Sequence, residues 1–218
     1  MKKYLRPAVF WTALLCLGGL AQAASFDCAL ARSAKEKMIC ADPQLSALDE
    51  QLDASYKDAL ARSGAKPTIR QWQRDWLKNG EVSRCTAAAC LTQAMNTRIQ
   101  MLDAVASSAT PAARWHGSYV RFTNGVRDSH SADITLIGLH GNKVFATGSA
   151  VWLGPNAAQG QVHTGEIEGV GQIKAGKALF DLDGCTATIA LTSTGLVVQD
   201  ESGCGGLNVT FIGDYRKK

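Results

Sequence analysis

Seven cysteines, four histidines and a run of carboxylates are the residues whose types could carry chemistry in this 218-residue chain. Thiols can ligate a metal, exchange electrons or cross-link, and spacing decides which. No C-x-x-C pair occurs, and His116, His130, His140 and His163 lack H-x-x-x-H or any similar ligand spacing, so a metal site is not indicated. His163 and Glu166 stand three apart in a predicted strand, which puts them on opposite faces. Asp181, Asp183 and Gly184 match only a fragment of a calcium loop, whose later ligands and terminal bidentate Glu are missing, and a hairpin turn explains them better. A hydrolase needs a nucleophile with a base, or paired carboxylates in a cleft. No such motif is present, so the chain is read as a protein without cofactor or catalytic residues.

The carboxylates hold more promise for binding. Asp42, Asp49, Glu50, Asp53 and Asp58 fall in a stretch where Lys57 is the only base. A carboxylate-rich helix could steer association with a basic protein, which makes Asp42, Asp49, Glu50 and Asp53 the candidate partner-binding residues. A solvated helix face with acids near its N-terminus accounts for the same pattern.

The first residues place Lys2, Lys3 and Arg6 before an apolar run from Ala8 to Leu20 and then Ala21-Gln22-Ala23. That layout predicts a secretory signal peptide over residues 1–23, cleaved after Ala23. The run is shorter than the ~20 residues of a membrane anchor, and no later stretch could span a bilayer. Cys16 follows Leu14-Leu15 inside the run, which is not a lipidation context. Removing three of the 23 basic residues leaves 20 against 19 acidic ones. A near-neutral chain with no Lys/Arg cluster excludes nucleic acid as the expected partner.

Cleavage also removes the odd cysteine, leaving Cys28, Cys40, Cys85, Cys90, Cys185 and Cys204. An even set in a periplasmic or secreted chain reads as three disulfides.

The elements that must position these residues change character halfway along. Ser33 with Glu36 forms a capping-box signature, predicting a short helix to about Cys40. After Pro43, which suits a first helical turn, Leu45, Leu48, Leu52, Tyr56 and Leu60 share one helix face, and Gly64 suits the stop. Ile69, Trp72 and Trp76 mark a third amphipathic segment, with the aromatic rings expected in the bundle core. Leu91, Met95, Arg98, Ile99 and Leu102 mark the last. Residues 24–106 are therefore expected to form a small helical bundle, with 107–113 a linker poor in helix formers.

From residue 114 onward Gly and β-branched residues rise. Turn signals recur at Asn124-Gly125, Gly141-Asn142, Ala175-Gly176-Lys177, Asp183-Gly184 and Thr194-Gly195. Cys185, Ala187, Ile189 and Leu191 alternate with polar or small neighbours, and Val209, Phe211, Gly213 and Tyr215 alternate near the C-terminus. The fold class is thus α+β in two domains, the second an all-β antiparallel barrel or sandwich of about eight strands. A barrel is preferred because closure removes exposed edges. Cys185 and Cys204 are the only cysteines of the β half and must pair if the halves are separate. For the other four, Cys28–Cys40 with Cys85–Cys90 stands beside a rival that joins the N-terminal segment to the Cys85–Cys90 region.

One resemblance can be drawn. Phe26-Asp27-Cys28, Glu36, Ile39-Cys40, Leu45, Leu48-Asp49, Leu52 and Tyr56, then Gln73, Trp76-Leu77, Cys85, Cys90-Leu91, Arg98-Ile99 and Leu102, resemble the LprI-type lysozyme-inhibitor domain of bacterial envelope proteins. The match covers about residues 26–103; where that family often has Arg-Asp after the Trp-Leu pair, this chain has Gly80-Glu81. The resemblance implies binding and inhibition of lysozyme or another peptidoglycan hydrolase. Thr147-Gly148-Ser149-Ala150-Val151-Trp152 is similar in part to a loop motif of β-barrel C-type lysozyme inhibitors, but too few residues match to carry a site over, and a strand carrying a buried Trp explains it better. The alternative reading is a β-barrel that holds a small ligand, with the helices as a docking unit.

Overall fold

The computed structural model describes residues 24–218, so the expected signal segment, 1–23, lies outside the described residues. Five helices come first: α1 (Ala34–Ala41), α2 (Pro43–Arg62), α3 (Lys66–Asn79), the single turn α4 (Glu81–Arg84) and α5 (Ala88–Asp103). Their ends follow the local signals. Ser33 and Glu36 make the full reciprocal capping box on α1. Asp42 starts α2 by accepting from the N–H groups of Gln44 and Leu45, with Pro43 in the first turn. Gly64, at φ +68°, turns the chain just past α2.

The apolar stripes of α2, α3 and α5 meet. Leu45, Leu52, Ile69, Trp72, Leu91, Met95, Ile99 and Leu102 are buried in one core, with Tyr56 and Trp76 packed at its margin. Cys28–Cys40 and Cys85–Cys90 are the disulfides of this half, so the local pairing prevails over the rival.

Nine strands follow: β1 (Gly117–Thr123), β2 (Val126–Arg127), β3 (Ala132–Leu139), β4 (Lys143–Leu153), β5 (Val162–Lys174), β6 (Lys177–Leu182), β7 (Cys185–Leu191), β8 (Gly195–Ser202) and β9 (Gly213–Lys217). All neighbours are antiparallel, and β1 pairs with both β3 and β9, which closes eight strands into an up-and-down barrel. The two-residue β2 is an addition on the end of β1. Each expected turn signal joins successive strands.

Closure needs an interior that fits. Tyr119, Ile134, Leu136, Val144, Ala146, Ile167, Phe180, Ile189, Leu196, Val198 and Tyr215 point inward, none more than 3% exposed, so the interior is filled by side chains. Gly171 makes this possible, because a Cβ there would sit 2.8 Å from the Phe180 ring. Cys185–Cys204 ties the start of β7 to the loop after β8.

The expected strand through Val209 and Phe211 is corrected: 209–212 is irregular, and pairing begins at Gly213. Asn208 sits at φ +66°, and the Phe211 N–H donates to the Glu201 carboxylate rather than to a neighbouring strand. Phe211 is nevertheless fully buried and stoppers that end of the barrel.

The two halves touch along β3 and β4. Ile137 and Leu139 face outward from the barrel into the helical core, and the Trp72 and Phe145 rings lie 5.5 Å apart. The stretch 107–113 is held by hydrogen bonds: the Ser108 N–H donates to the Arg62 carbonyl at 2.8 Å and the Thr110 N–H to the Ser107 carbonyl at 2.9 Å. From Pro111 to Trp115 it forms a 3-10 turn.

Candidate functional site

The four acidic candidates lie at the start of α2 and along it, Asp42, Asp49 and Asp53 at the spacing of one helical stripe and Glu50 to one side of it. Asp42 is occupied as the cap. Asp49 accepts from the backbone N–H and hydroxyl of Ser25, at 2.8 and 2.6 Å. Asp53 pairs with Lys57 at 2.6 Å. Hydrogen bonds to backbone N–H groups and hydroxyls do not cancel a carboxylate's charge, and among the described residues no cation stands within ion-pair distance of Asp42, Asp49 or Glu50.

Several residues behind the family resemblance converge at Arg98. This arginine of α5 is 4% exposed, with its guanidinium 3.6 Å from the Trp72 ring centroid and 5.5 Å from that of Trp76. Its Nε donates to the Gln73 side chain at 2.8 Å, and its Nη2 has no hydrogen-bond partner among the described residues. Burial pushes the guanidinium down to about 9, opposed by the charge of Glu168. It therefore stays cationic at neutral pH.

A second surface lies at the end of the barrel where β1 and β4 finish and β5 and β9 begin. Gly117, Tyr119 and Arg121 alternate on the inner face of β1, so Arg121 enters the barrel at its mouth and is 6% exposed. It donates to Asp128 at 2.8 Å, to the His130 carbonyl at 2.6 Å and to the Thr210 carbonyl. Burial raises the proton affinity of Asp128, but the His130 N–H, the Arg121 guanidinium and the Thr123 hydroxyl outweigh it and hold the carboxyl below its ordinary range.

Above this pair lies a recess of ≈ 280 Å³, walled by Trp152, His130, Asn208 and Ile212. Trp152 and His163 are cross-strand partners on β4 and β5, and their rings stack with centroids 5.1 Å apart. The His130 ring lies nearly parallel to the indole at 6.3 Å. Leu153, Val162, Leu207 and Ile212 expose apolar side chains around the same end.

The other candidates are not gathered. His163 points inward whereas Glu166 and Glu168 face outward, as three-residue spacing on a strand requires, and Asp181 lies exposed on β6. His116 is buried, donating from Nε2 to the Ala106 carbonyl and accepting the Gly138 N–H at Nδ1. Asp183-Gly184 is the β6–β7 turn. Among the described residues no three His, Cys, Asp or Glu side chains are grouped to hold a metal ion.

The mouth was not foreseen as a site. Its one sequence signal is Arg121 itself, a charge in phase with the inward residues of β1. Trp152 does lie on a strand, but half-buried at the rim.

These features define a disulfide-bridged α+β protein with a closed eight-stranded antiparallel barrel. Comparisons with protein-family models, with curated proteins and with solved structures find no match to the chain.

Proposed function

We propose that this is an exported envelope protein that binds and inhibits a peptidoglycan hydrolase, with lysozyme the leading partner. The observation that carries the reading is the uncompensated charge of Asp42, Asp49 and Glu50, on the helical unit that resembles LprI-type inhibitors. A basic enzyme approaching that unit is steered by it, and a helix laid across the enzyme's cleft blocks substrate. Three disulfides support an oxidising compartment, and no helix among the described residues is long and apolar enough to cross a membrane. The closely filled barrel interior supports surface binding over an apolar ligand held inside.

The test is lysis of bacterial cell walls by C-type and G-type lysozymes in the presence of the purified protein. Inhibition is expected, weakening as salt screens the carboxylates. The variant Asp42→Asn/Asp49→Asn/Glu50→Gln retains an Asn cap on α2 and should inhibit less. No inhibition at large excess, together with no binding in a pull-down, sinks the reading.

A further inference from the structure

Helix α3 carries four cations, Lys66, Arg70, Arg74 and Lys78, each four residues after the last. Spread in this way they form no run in the sequence. Each turn of the helix nevertheless brings the next one alongside, so they line one side of it at steps of about 6 Å over about 18 Å. All four are exposed, and the other side of the helix supplies the residues that enter the core, Thr68, Ile69, Trp72 and Gln73.

The fold does not use these charges. Among the described residues the ion pairs are those of Lys57, Arg62, Arg121 and Lys218, and none involves α3. The one acid of the helix, Asp75, stands to one side of the row and accepts from the Gln71 amide at 2.7 Å, while Gln71 accepts from Arg74 at 2.6 Å. Like charges four residues apart repel and weaken a helix, so the row works against the element that carries it. Its positive potential is turned to solvent.

A neighbouring side chain narrows the partner. Leu77 is 55% exposed and stands seven residues after Arg70, which puts it on the side of the cations. Single-stranded nucleic acid needs aromatic plates for its bases, but Trp72 is buried and Trp76 is packed in the margin of the core near Arg98. A row of long cationic side chains with a leucine among them matches a flat anionic surface that has an apolar layer beneath its charges. An anionic phospholipid bilayer is such a surface, and each Lys or Arg near it adds to the attraction.

We infer that α3 is a peripheral membrane-contact surface, on which Lys66, Arg70, Arg74 and Lys78 meet the phosphates of anionic lipid headgroups and Leu77 enters between them. It goes beyond the hydrolase reading and is independent of it, since the carboxylates of that reading belong to another helix.

The test is cosedimentation with lipid vesicles of the purified chain 24–218, which holds both hydrophobic cores and lacks the apolar run of the expected signal. Phosphatidylcholine vesicles with about 30% phosphatidylglycerol should bind it in about 0.1 M NaCl and release it in about 0.5 M, and pure phosphatidylcholine should not bind it. Arg70→Gln/Arg74→Gln should weaken binding about tenfold. Leu77→Ala should weaken it about threefold. Lys143→Gln/Lys177→Gln, which removes the same charge from exposed positions of the barrel, should leave binding unchanged. The proposal is overturned by any of three results: no preference for the anionic vesicles, equal weakening in the two double variants, or full displacement from the vesicles by an equal charge of duplex DNA or polyglutamate.

Discussion

The backbones of Gly165 on β5 and Gly205 in the loop after β8 meet as an isolated antiparallel bridge. A Cβ at Gly165 would lie 2.7 Å from the Gly205 Cα and 2.6 Å from the Cys204 carbonyl oxygen, both of them backbone. The loop that stoppers the barrel mouth therefore rests on a strand with no side chain at that point. Gly165→Ala should lift the loop and cost about 1–3 kcal/mol in denaturant unfolding. Gly206→Ala, whose Cβ would meet nothing nearer than 3.5 Å, should change stability by less than about 0.5 kcal/mol. Equal effects of the two substitutions would contradict this account.

Ala175 occupies the left-handed region at φ +47°, followed by Gly176 at φ +78°, in the two-residue turn between β5 and β6. Asn is favoured at the first position of such a turn and alanine is strained there. Ala175→Asn should stabilise the protein by about 0.5–1 kcal/mol, read as a higher Tm. An unchanged or lower Tm would show that the turn carries no strain.

Arg98 and Gln73 form a buried polar pair within a largely apolar core. Arg98→Met keeps the bulk over Trp72 but leaves the Gln73 oxygen without its donor, which should cost about 1–3 kcal/mol. Adding Gln73→Leu removes the stranded acceptor and should recover most of that loss. Strict additivity of the two changes in a double-mutant cycle would refute the coupling.

His116 is neutral in the fold. Burial holds its proton affinity below the ordinary 6.5, with a smaller contribution from Lys217, opposed by the Ala106 carbonyl. Because the folded value is the lower one, the unfolded chain takes up the proton first as the pH falls. The stability contribution is therefore full above 6.5 and declines on acidification from there down to the folded value. Protonation would also put a hydrogen on the Nδ1 that accepts the Gly138 N–H. Denaturant midpoints should fall between about pH 7 and about pH 5, and His116→Gln should flatten that slope.

The helical half was the more legible because its determinants are local. Ser33 with Glu36, Asp42 with Pro43, and the leucine stripe of α2 each act within one or two turns. The turns of the barrel were legible for the same reason, since Asn-Gly and Asp-Gly pairs accept positive φ. The one-turn α4 and the irregular path of 209–212 were not, because the latter is set by Glu201, ten residues before Phe211. The acidic candidates were placed correctly on one helix, but only coordinates show Asp49 bonded to Ser25 and Asp53 to Lys57.

By itself the sequence determined the order of helices and strands, the antiparallel pattern and the pairing of Cys185 with Cys204, because period, turn chemistry and parity act over short spans. The tertiary structure decided the rest. Barrel closure is the pairing of β1 with β9, whose partner residues Tyr119 and Lys217 lie at opposite ends of the β half. The seating of the helices on Ile137, Leu139 and Phe145 and the meeting of Arg121, Trp152 and Asn208 at the mouth likewise depend on closing long loops. Such contacts form only when many distant pairings are satisfied together, and no local pattern of residues encodes them.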